Sequence, residues 1–485
     1  MLLLPTTWRR RVSAAVAALC LGACSPSREA PATPGHGLLR GADGTRPNVL
    51  LLTVDTLRAD HVEANGSPFR GLTPTLDQLA SEGTLFVHTT SPAPATRPAL
   101  AALITGSYSG RHAVLTNRRR LPLGIRTMAA VLKRAGYQTA ALFGNQLLES
   151  SGFRRGFDRY ETFVPQQGLS SDAEGVDRAI AWLGDSPKEP WFLWLHLMSP
   201  HGPYNSAPRR SVVGGTGEDP LPDRRLEPSS SNYGLGVLPR YQFLLAPPQA
   251  AEYRRRYRGE VFYADAQIGR LVRALDDHGL ASSTLLIVTA DHGESLGEQD
   301  LFFQHGWLPN EASVRVPLLW RLPGRVAKGH RVMAGVSLVD VMPTLLSGLG
   351  IAIPYGLAGR DLTSALGGGE PPEAAAFTMT AYANRMTAVR RGDWKLVHTP
   401  PPPNPLPNDY WRSFYAEAES YALYDLARDP GEERDQSAAE PERVAALRAE
   451  LTKWEKENRN PPASRTPPPA DAATQERLRA LGYAD

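Results

Sequence analysis

Cysteine is almost absent from this chain. Its 485 residues hold two, Cys20 and Cys24, and both fall in a segment that reads as a leader. The remainder therefore has no disulfide framework and no thiolate nucleophile. Bilayer-spanning runs are missing as well: the early apolar run, Val12 to Leu21, is too short to cross stably. Charge of one sign is scarce. The formal net charge is +3 and the pI about 8.8, without the long Lys/Arg stripe of a nucleic-acid binder. The arginine clusters Arg118–Arg120 and Arg254–Arg256 read as solvated surface charge. There are no internal repeats. With 42% hydrophobic and 21% charged residues, the chain is globular and fills one large domain or two.

The leader has a recognisable build. Trp8-Arg9-Arg10-Arg11 is a basic start, Val12 to Leu21 an apolar core, and Leu21-Gly22-Ala23-Cys24-Ser25 resembles the bacterial lipobox. That resemblance implies diacylation of Cys24 and export to the periplasmic or cell-surface face of a membrane; the alternative is a soluble secretory signal. The expected organisation is a signal at 1–24, a flexible Pro/Gly/Ser-rich tether at 25–46, a catalytic domain at 47–375, a C-terminal subdomain at 376–458, and a Pro-rich linker with a short helix at 459–485.

From Pro47 onward, apolar strand-like runs alternate with helical patterns. Strands are predicted at Asn48–Asp55, Thr139–Phe143, Trp191–Met198, Leu285–Ala290 and Val316–Arg321. Helices are predicted at Thr73–Glu82, Pro98–Leu103, Thr127–Ala135, Asp172–Leu183 and Arg258–Asp277. This alternation predicts an α/β domain with a mostly parallel sheet between helices. Ala388–Val397 and Tyr421–Leu426 predict a small antiparallel appendage, and Glu440–Asn458 a charged helix. The Pro-, Gly- and Ser-rich stretch 205–250 reads as a long functional loop.

Two apolar runs end on acidic residues: Asn48-Val-Leu-Leu-Leu-Thr-Val-Asp55 and Thr284-Leu-Leu-Ile-Val-Thr-Ala-Asp291, the latter followed by His292. Ligands in open α/β sheets bind at the carboxyl ends of the strands, so Asp55, Asp291 and His292 could meet at one cation. Thr96 precedes a helical run with Pro98 in its first turn. It is a natural N-cap, yet a hydroxyl there also sits at the positive end of a helix dipole. Beside a metal it would become a nucleophile. His196, within a strand, reads as a packed or hydrogen-bonded residue. His201 and His305, in turns after strands, read as contacts to an anion or a leaving group. Such a scattered His/Asp set suits a hydrolytic metal centre.

These motifs resemble the sulfatase family of the alkaline-phosphatase superfamily. The resemblance is carried by Arg46–Asp60, Thr96–Gly106, Pro200-His-Gly-Pro203, Ala290-Asp-His-Gly-Glu294, Val316–Leu319, Val339–Leu346, Gly359–Leu362 and Leu423–Gly431. It implies a large central mixed sheet between helices, with a small C-terminal sheet subdomain. The departures are informative. A sulfatase carries Cys or Ser as a formylglycine precursor, with Pro two and Arg four residues on. Here the Thr105-Gly106 anchor places Thr96, Pro98 and Leu100 at those positions, and a register using Arg97 fails. The family's second metal-binding Asp falls on Thr56, its Asn on His292, and its Gly-Lys-Trp-His on Gly144-Asn145-Gln146-Leu147.

A Thr nucleophile with Asp-His ligation is similar to phosphoethanolamine and phosphoglycerol transferases and to nucleotide phosphodiesterases. The expectation is an exported, lipid-anchored, metal-dependent hydrolase of a phospho- or sulfo-ester on a small molecule, lipid or glycan, with the phospho-ester favoured. Asp55, Asp291, His292 and the Thr96 oxygen would hold one divalent ion, Zn²⁺ or Mn²⁺ before Ca²⁺. His201 and His305 would grip the substrate and assist the leaving group, and Asn145 would line the pocket. The alternatives are a phosphoethanolamine-type transferase, a formylglycine-independent sulfatase, and a sulfatase-like binding protein without activity.

Overall fold

Two strands without a solvent-facing position set the frame. Asn48–Val54 and Thr284–Ala290 are buried along all seven residues, which requires both faces of the sheet to be covered. In the computed structural model, which describes residues 36–163, 171–205, 216–232, 235–244, 246–380, 385–401 and 418–458, these strands are parallel neighbours. Their register runs from Asn48 opposite Thr284 to Val54 opposite Ala290. Trp191–Leu197 flanks the first strand on its other side, ending with Val54 opposite Leu197. Cys24, much of the expected tether and the 459–485 segment lie outside the described residues.

The central sheet has nine strands. Their order is His330–Val332, Thr84–Thr90, Arg315–Arg321, Thr284–Ala290, Asn48–Val54, Trp191–Leu197, Gln138–Phe143 and Arg159–Thr162, with Val336–Ser337 beside Thr84–Thr90. Arg315–Arg321 runs against the others. The expected mostly parallel α/β sheet is thus present. Helices Pro74–Glu82, Ser171–Gly184 and Ala250–Asp277 pack on one another over the sheet, and Thr96–Thr105, Met128–Arg134 and Val341–Gly348 form a second group. All ten residues of Thr96–Thr105 are buried. Gly106, left-handed at φ 59°, ends that helix as glycine readily does. Its carbonyl accepts the N–H groups of Ala358 and Gly359. No helix among the described residues is long and apolar enough to cross a membrane.

A four-stranded antiparallel sheet follows: Ala376–Met379, Thr387–Arg391, Trp394–Thr399 and Ser420–Asp425. The single strand expected over Ala388–Val397 is a hairpin, because the chain turns at Gly392, φ 58°. Helix Pro441–Asn458 lays Leu447, Leu451 and Trp454 onto it. Trp454 stacks on Phe377 with ring centroids 5.2 Å apart and meets Tyr108 edge-on at 5.3 Å. The small sheet therefore shares apolar packing with Ala102, Tyr108 and Val339 of the large domain.

A buried ion cluster completes the joint. Glu311 bonds Arg390 at 2.7 Å and Lys395 at 3.0 Å, and Lys395 reaches Glu432 at 2.9 Å. Burial would raise Glu311, but Lys395 and then Arg390 hold it down to about 2. Glu432, with one cation to share, is pushed up by its burial. Removing one partner of a buried pair strands the other. Glu311→Gln is expected to cost about 3–5 kcal/mol in urea unfolding near neutral pH. Because the folded pKa lies below the unfolded value, the native contribution is complete above the ordinary Glu pKa and fades as pH falls towards 2. The deficit of the variant should therefore shrink on acidification; a constant deficit would show that the charge is not what the variant lost.

Candidate active site

The strand register delivers the site. Val54 lies level with both Ala290 and Leu197, so Asp55 and Asp291 leave the sheet side by side. Thr56, in a left-handed conformation at φ 59°, turns the chain, and its N–H donates to Asp291 Oδ1 at 3.3 Å. The His292 N–H donates to the same oxygen at 2.8 Å. That leaves Asp291 Oδ2 and Asp55 Oδ1 buried with no hydrogen-bond partner among the described residues.

His292 closes the triangle. Its Nδ1 lies 2.9 Å from the Gly293 carbonyl, an acceptor only, so Nδ1 carries the proton. Nε2 then presents a lone pair 3.7 Å from Asp55 Oδ1 and 3.5 Å from Asp291 Oδ2. Thr96 Oγ1 lies 3.4 Å from the same nitrogen. Burial, with His305 second, pushes the His292 pKa down to about 3, so the ring is neutral. Burial alone would raise Asp55, but His201, His196 and His292 hold it below the usual range. Burial and the neighbouring Asp55 push Asp291 well above it. Three lone pairs and a hydroxyl converging in a buried space are what a divalent cation satisfies, so the residues present fit a metal.

A second candidate set is Asp55, His196 and Asp291, whose ligand atoms lie within 4.8 Å of one another. For His292, the ring hydrogen bond to the Gly293 carbonyl fixes a lone pair on Nε2. Thr53 Oγ1 accepts the Trp194 indole N–H at 2.9 Å and lies 2.9 Å from His196 Nδ1. The indole can only donate and the hydroxyl oxygen has two lone pairs, so Thr53 can either donate to or accept from Nδ1. His196 Nε2 lies 3.4 Å from Asp55 Oδ2 and has no hydrogen-bond partner among the described residues. With its proton on Nε2, His196 would support that carboxylate, as a histidine behind a ligand does; with a lone pair there it would itself be a ligand. Asn145 donates to Asp55 Oδ2 at 3.2 Å.

The other histidines form one wall. His305 Nδ1 bonds Glu294 Oε1 at 2.9 Å, and the Tyr204 hydroxyl donates to Glu294 Oε2 at 3.2 Å. Rings of His305 and His292 are 4.4 Å apart, and those of His305 and His201 5.2 Å. Burial raises Glu294 to about 7 and lowers His305 to about 4; it lowers His201 too.

Thr96 corrects one expectation. The N-cap of its helix is Ala95, and Thr96 is the first helical residue. Its hydroxyl therefore faces His292 rather than serving as a cap. Arg97 is turned away: its guanidinium donates to the carbonyls of Leu147 and Arg119 and to Ser150 Oγ. The structure brings Asp55, Asp291, His292, Thr96, Asn145, His201 and His305 into one site. Sequence reasoning gave no role to Glu294 or Tyr204 and left His196 in the core. Glu294 carried the one usable signal, a carboxylate two residues beyond His292.

Without a cation, the two carboxylates repel. Asp291→Asn should raise the melting temperature of chelator-treated protein and abolish the rise produced by added Zn²⁺ or Mn²⁺. That rise corresponds to about 2.7 kcal/mol at a hundredfold excess over Kd. A melting temperature indifferent to both metal and substitution would remove the metal assignment.

Comparison with known proteins gives a consistent picture. Residues 47–351 match the sulfatase family profile, and residues 297–459 match that of the N-sulphoglucosamine sulphohydrolase C-terminal region. The chain is 27% identical to an ulvan-active sulfatase of Formosa agariphila, covering 67% of this chain and 66% of that one. It is 26% identical to the choline-sulfatase of Rhizobium meliloti, covering 81% and 84%. The structure superposes on the phosphonate monoester hydrolase of Agrobacterium radiobacter with a TM-score of 0.67 at 23% identity, covering 85% and 95% of the chains.

Proposed function

The chain belongs to the sulfatase family of ester hydrolases, and on that footing we propose a metal-dependent hydrolase in which Thr96 is the nucleophile and a phospho-ester the preferred substrate. The observation that carries this is the convergence of Thr96 Oγ1, His292 Nε2, Asp55 Oδ1 and Asp291 Oδ2 on one buried point. A divalent ion held by Asp55, Asp291 and His292 supplies charge that lowers the hydroxyl pKa of Thr96 and offsets the charge of the substrate. The mixed nitrogen and oxygen donor set favours Zn²⁺ or Mn²⁺ over Ca²⁺.

The remaining steps belong to the chain's own residues. Thr96 Oγ1, at the first position of its helix, gives up its proton to solvent and attacks phosphorus. The bond to the ester oxygen breaks, that oxygen takes a proton from water and leaves as the alcohol, and the group is held as a phospho-threonine. The positive end of the helix stabilises the equatorial oxygens. His201 and His305 line the opposite wall and contact the anion or the departing oxygen. Glu294 and Tyr204 keep the His305 ring oriented. Water then attacks phosphorus and restores Thr96; an acceptor hydroxyl in place of water would make the enzyme a transferase. Lipidation at Cys24 would hold this chemistry at the periplasmic or cell-surface face of a membrane.

A sulfate ester is the second reading. It is favoured by the relatives, among them an ulvan-active sulfatase and a choline-sulfatase. Thr96 cannot become a formylglycine, so on this reading sulfur would be attacked by the hydroxyl itself. Parallel assays of bis(4-nitrophenyl) phosphate and 4-nitrophenyl sulfate on metal-loaded enzyme separate the two. The phosphodiester is expected to turn over faster, with Thr96→Ala reducing it at least about 10²-fold. Turnover unchanged in that variant would end the nucleophile assignment, and a faster sulfate ester would reverse the substrate order.

A further inference from the structure

The two arginine triplets of this chain are not alike. Arg254, Arg255 and Arg256 are each paired: Arg254 with Asp219 at 2.7 Å, and Arg255 and Arg256 with Glu252 at 2.7 and 3.1 Å. Arg118, Arg119 and Arg120 have no carboxylate within ion-pair distance among the described residues, and Arg118 and Arg120 are exposed. Between Arg111 and Arg159 the sequence holds ten Arg and Lys residues against two acids, Glu149 and Asp158, although the whole chain carries only +3. Asp158 is already bonded to Lys133. Arg154 is also exposed and lies 5.8 Å from the Tyr160 ring. Beside these charges Leu123 is 87% exposed.

Topology places the Arg118–Arg120 triplet on the face that bears the site. The helix Thr96–Thr105 starts at the site and runs away from it. The chain returns by residue 117, where Asn117 Oδ1 accepts the Arg97 N–H at 2.9 Å. It then descends through Met128–Arg134 to the strand Gln138–Phe143, whose carboxyl end delivers Asn145 to Asp55. The Arg119 carbonyl accepts from Arg97 at 3.4 Å, one residue from the nucleophile. A cluster of unpaired cations at the rim of a buried anion site focuses its field on approaching anions.

We propose that Arg118, Arg119 and Arg120, with Arg154, form a rim subsite for a polyanionic chain, so that the ester cleaved is one of many negative groups along a polymer. This rests on the ester-hydrolase reading above and specifies its substrate class. A small monoester would reach the metal end of the site without meeting the rim. A repeating anion spans both, and its neighbouring charges are held by the arginines while one ester lies at Thr96. Leu123 offers the adjoining apolar contact that a backbone ring would cover.

The test uses the full-length enzyme and an Arg118→Ala/Arg120→Ala variant, which leaves the Arg119 carbonyl and Asn117 in place. Binding is read with dextran sulfate against neutral dextran, and turnover with 4-nitrophenyl esters in the same preparations. The expected result is dextran sulfate binding weakened about tenfold in the variant, with a shallower salt dependence, no binding of neutral dextran, and small-ester turnover unchanged. Equal dextran sulfate binding by both proteins would overturn the proposal. So would binding to phosphatidylglycerol vesicles, but not to dextran sulfate, that the variant loses; the rim would then be a membrane contact. Thr96→Ala should keep dextran sulfate binding. If the native enzyme turns over neither small ester, the catalytic reading fails while the binding result still stands or falls alone.

Discussion

Two carboxylates are forced together by a register. Asn48–Val54 sits between two parallel strands that both end level with it, and the next residue on two of the three is an aspartate. Neither can retreat, because each is wholly buried at the edge of a close-packed sheet. The hydrogen bonds at hand satisfy one oxygen of Asp291 and the outer oxygen of Asp55, and leave the two facing oxygens with nothing. Everything around them answers this deficit. His292 adds a lone pair in place of a proton, His196 Nε2 stands 3.4 Å behind Asp55, and Thr96 arrives at the head of a helix made wholly of buried residues. The like-charge contact is eased when Asp291 takes up a proton, toward which burial and Asp55 push it, and it is the kind of contact that a bound cation would neutralise.

The strands that build this contact were legible in the sequence because they are extreme. Runs such as Val-Leu-Leu-Leu and Leu-Leu-Ile-Val leave no polar face and belong in a doubly covered sheet. The site residues were legible because they interrupt such runs. Other elements were not. Thr84–Thr90 is rich in threonine and follows a helix with only Gly83 between, so it offers neither alternation nor a turn cluster. The reversed direction of Arg315–Arg321 is a pairing choice with no local signature. Ala388–Val397 reads as continuous until Gly392 is seen to turn.

Within the site, the limits were of a different kind. His196 lies inside an apolar strand, and nothing local distinguishes a core histidine from one level with Thr53, two residues before Asp55. Its role depends on which strand lies alongside and on which hydroxyl, here that of Thr53, reaches its inner nitrogen. Glu294 and Tyr204 are ninety residues apart and meet only because the strand ends converge. Thr96 was placed one position early, as a cap, because sequence cannot separate the last non-helical residue from the first helical one. That single position decides whether the hydroxyl is used by its own backbone or is offered to the pocket.

The neighbour of Thr96, the proposed nucleophile, has a consequence for anyone redesigning this enzyme. Arg97 takes its backbone acceptor from Asn117 and spends its guanidinium on Arg119, Leu147 and Ser150. The rim and Thr96 are thus laced together through Asn117 Oδ1 and the Arg119 carbonyl. Exchanging the whole loop from Asn117 to Leu121 for one from a relative would import new side chains and also undo the lacing that positions Thr96. On the proposed rim, specificity would be adjustable by point changes at arginine tips and resistant to transplantation of segments.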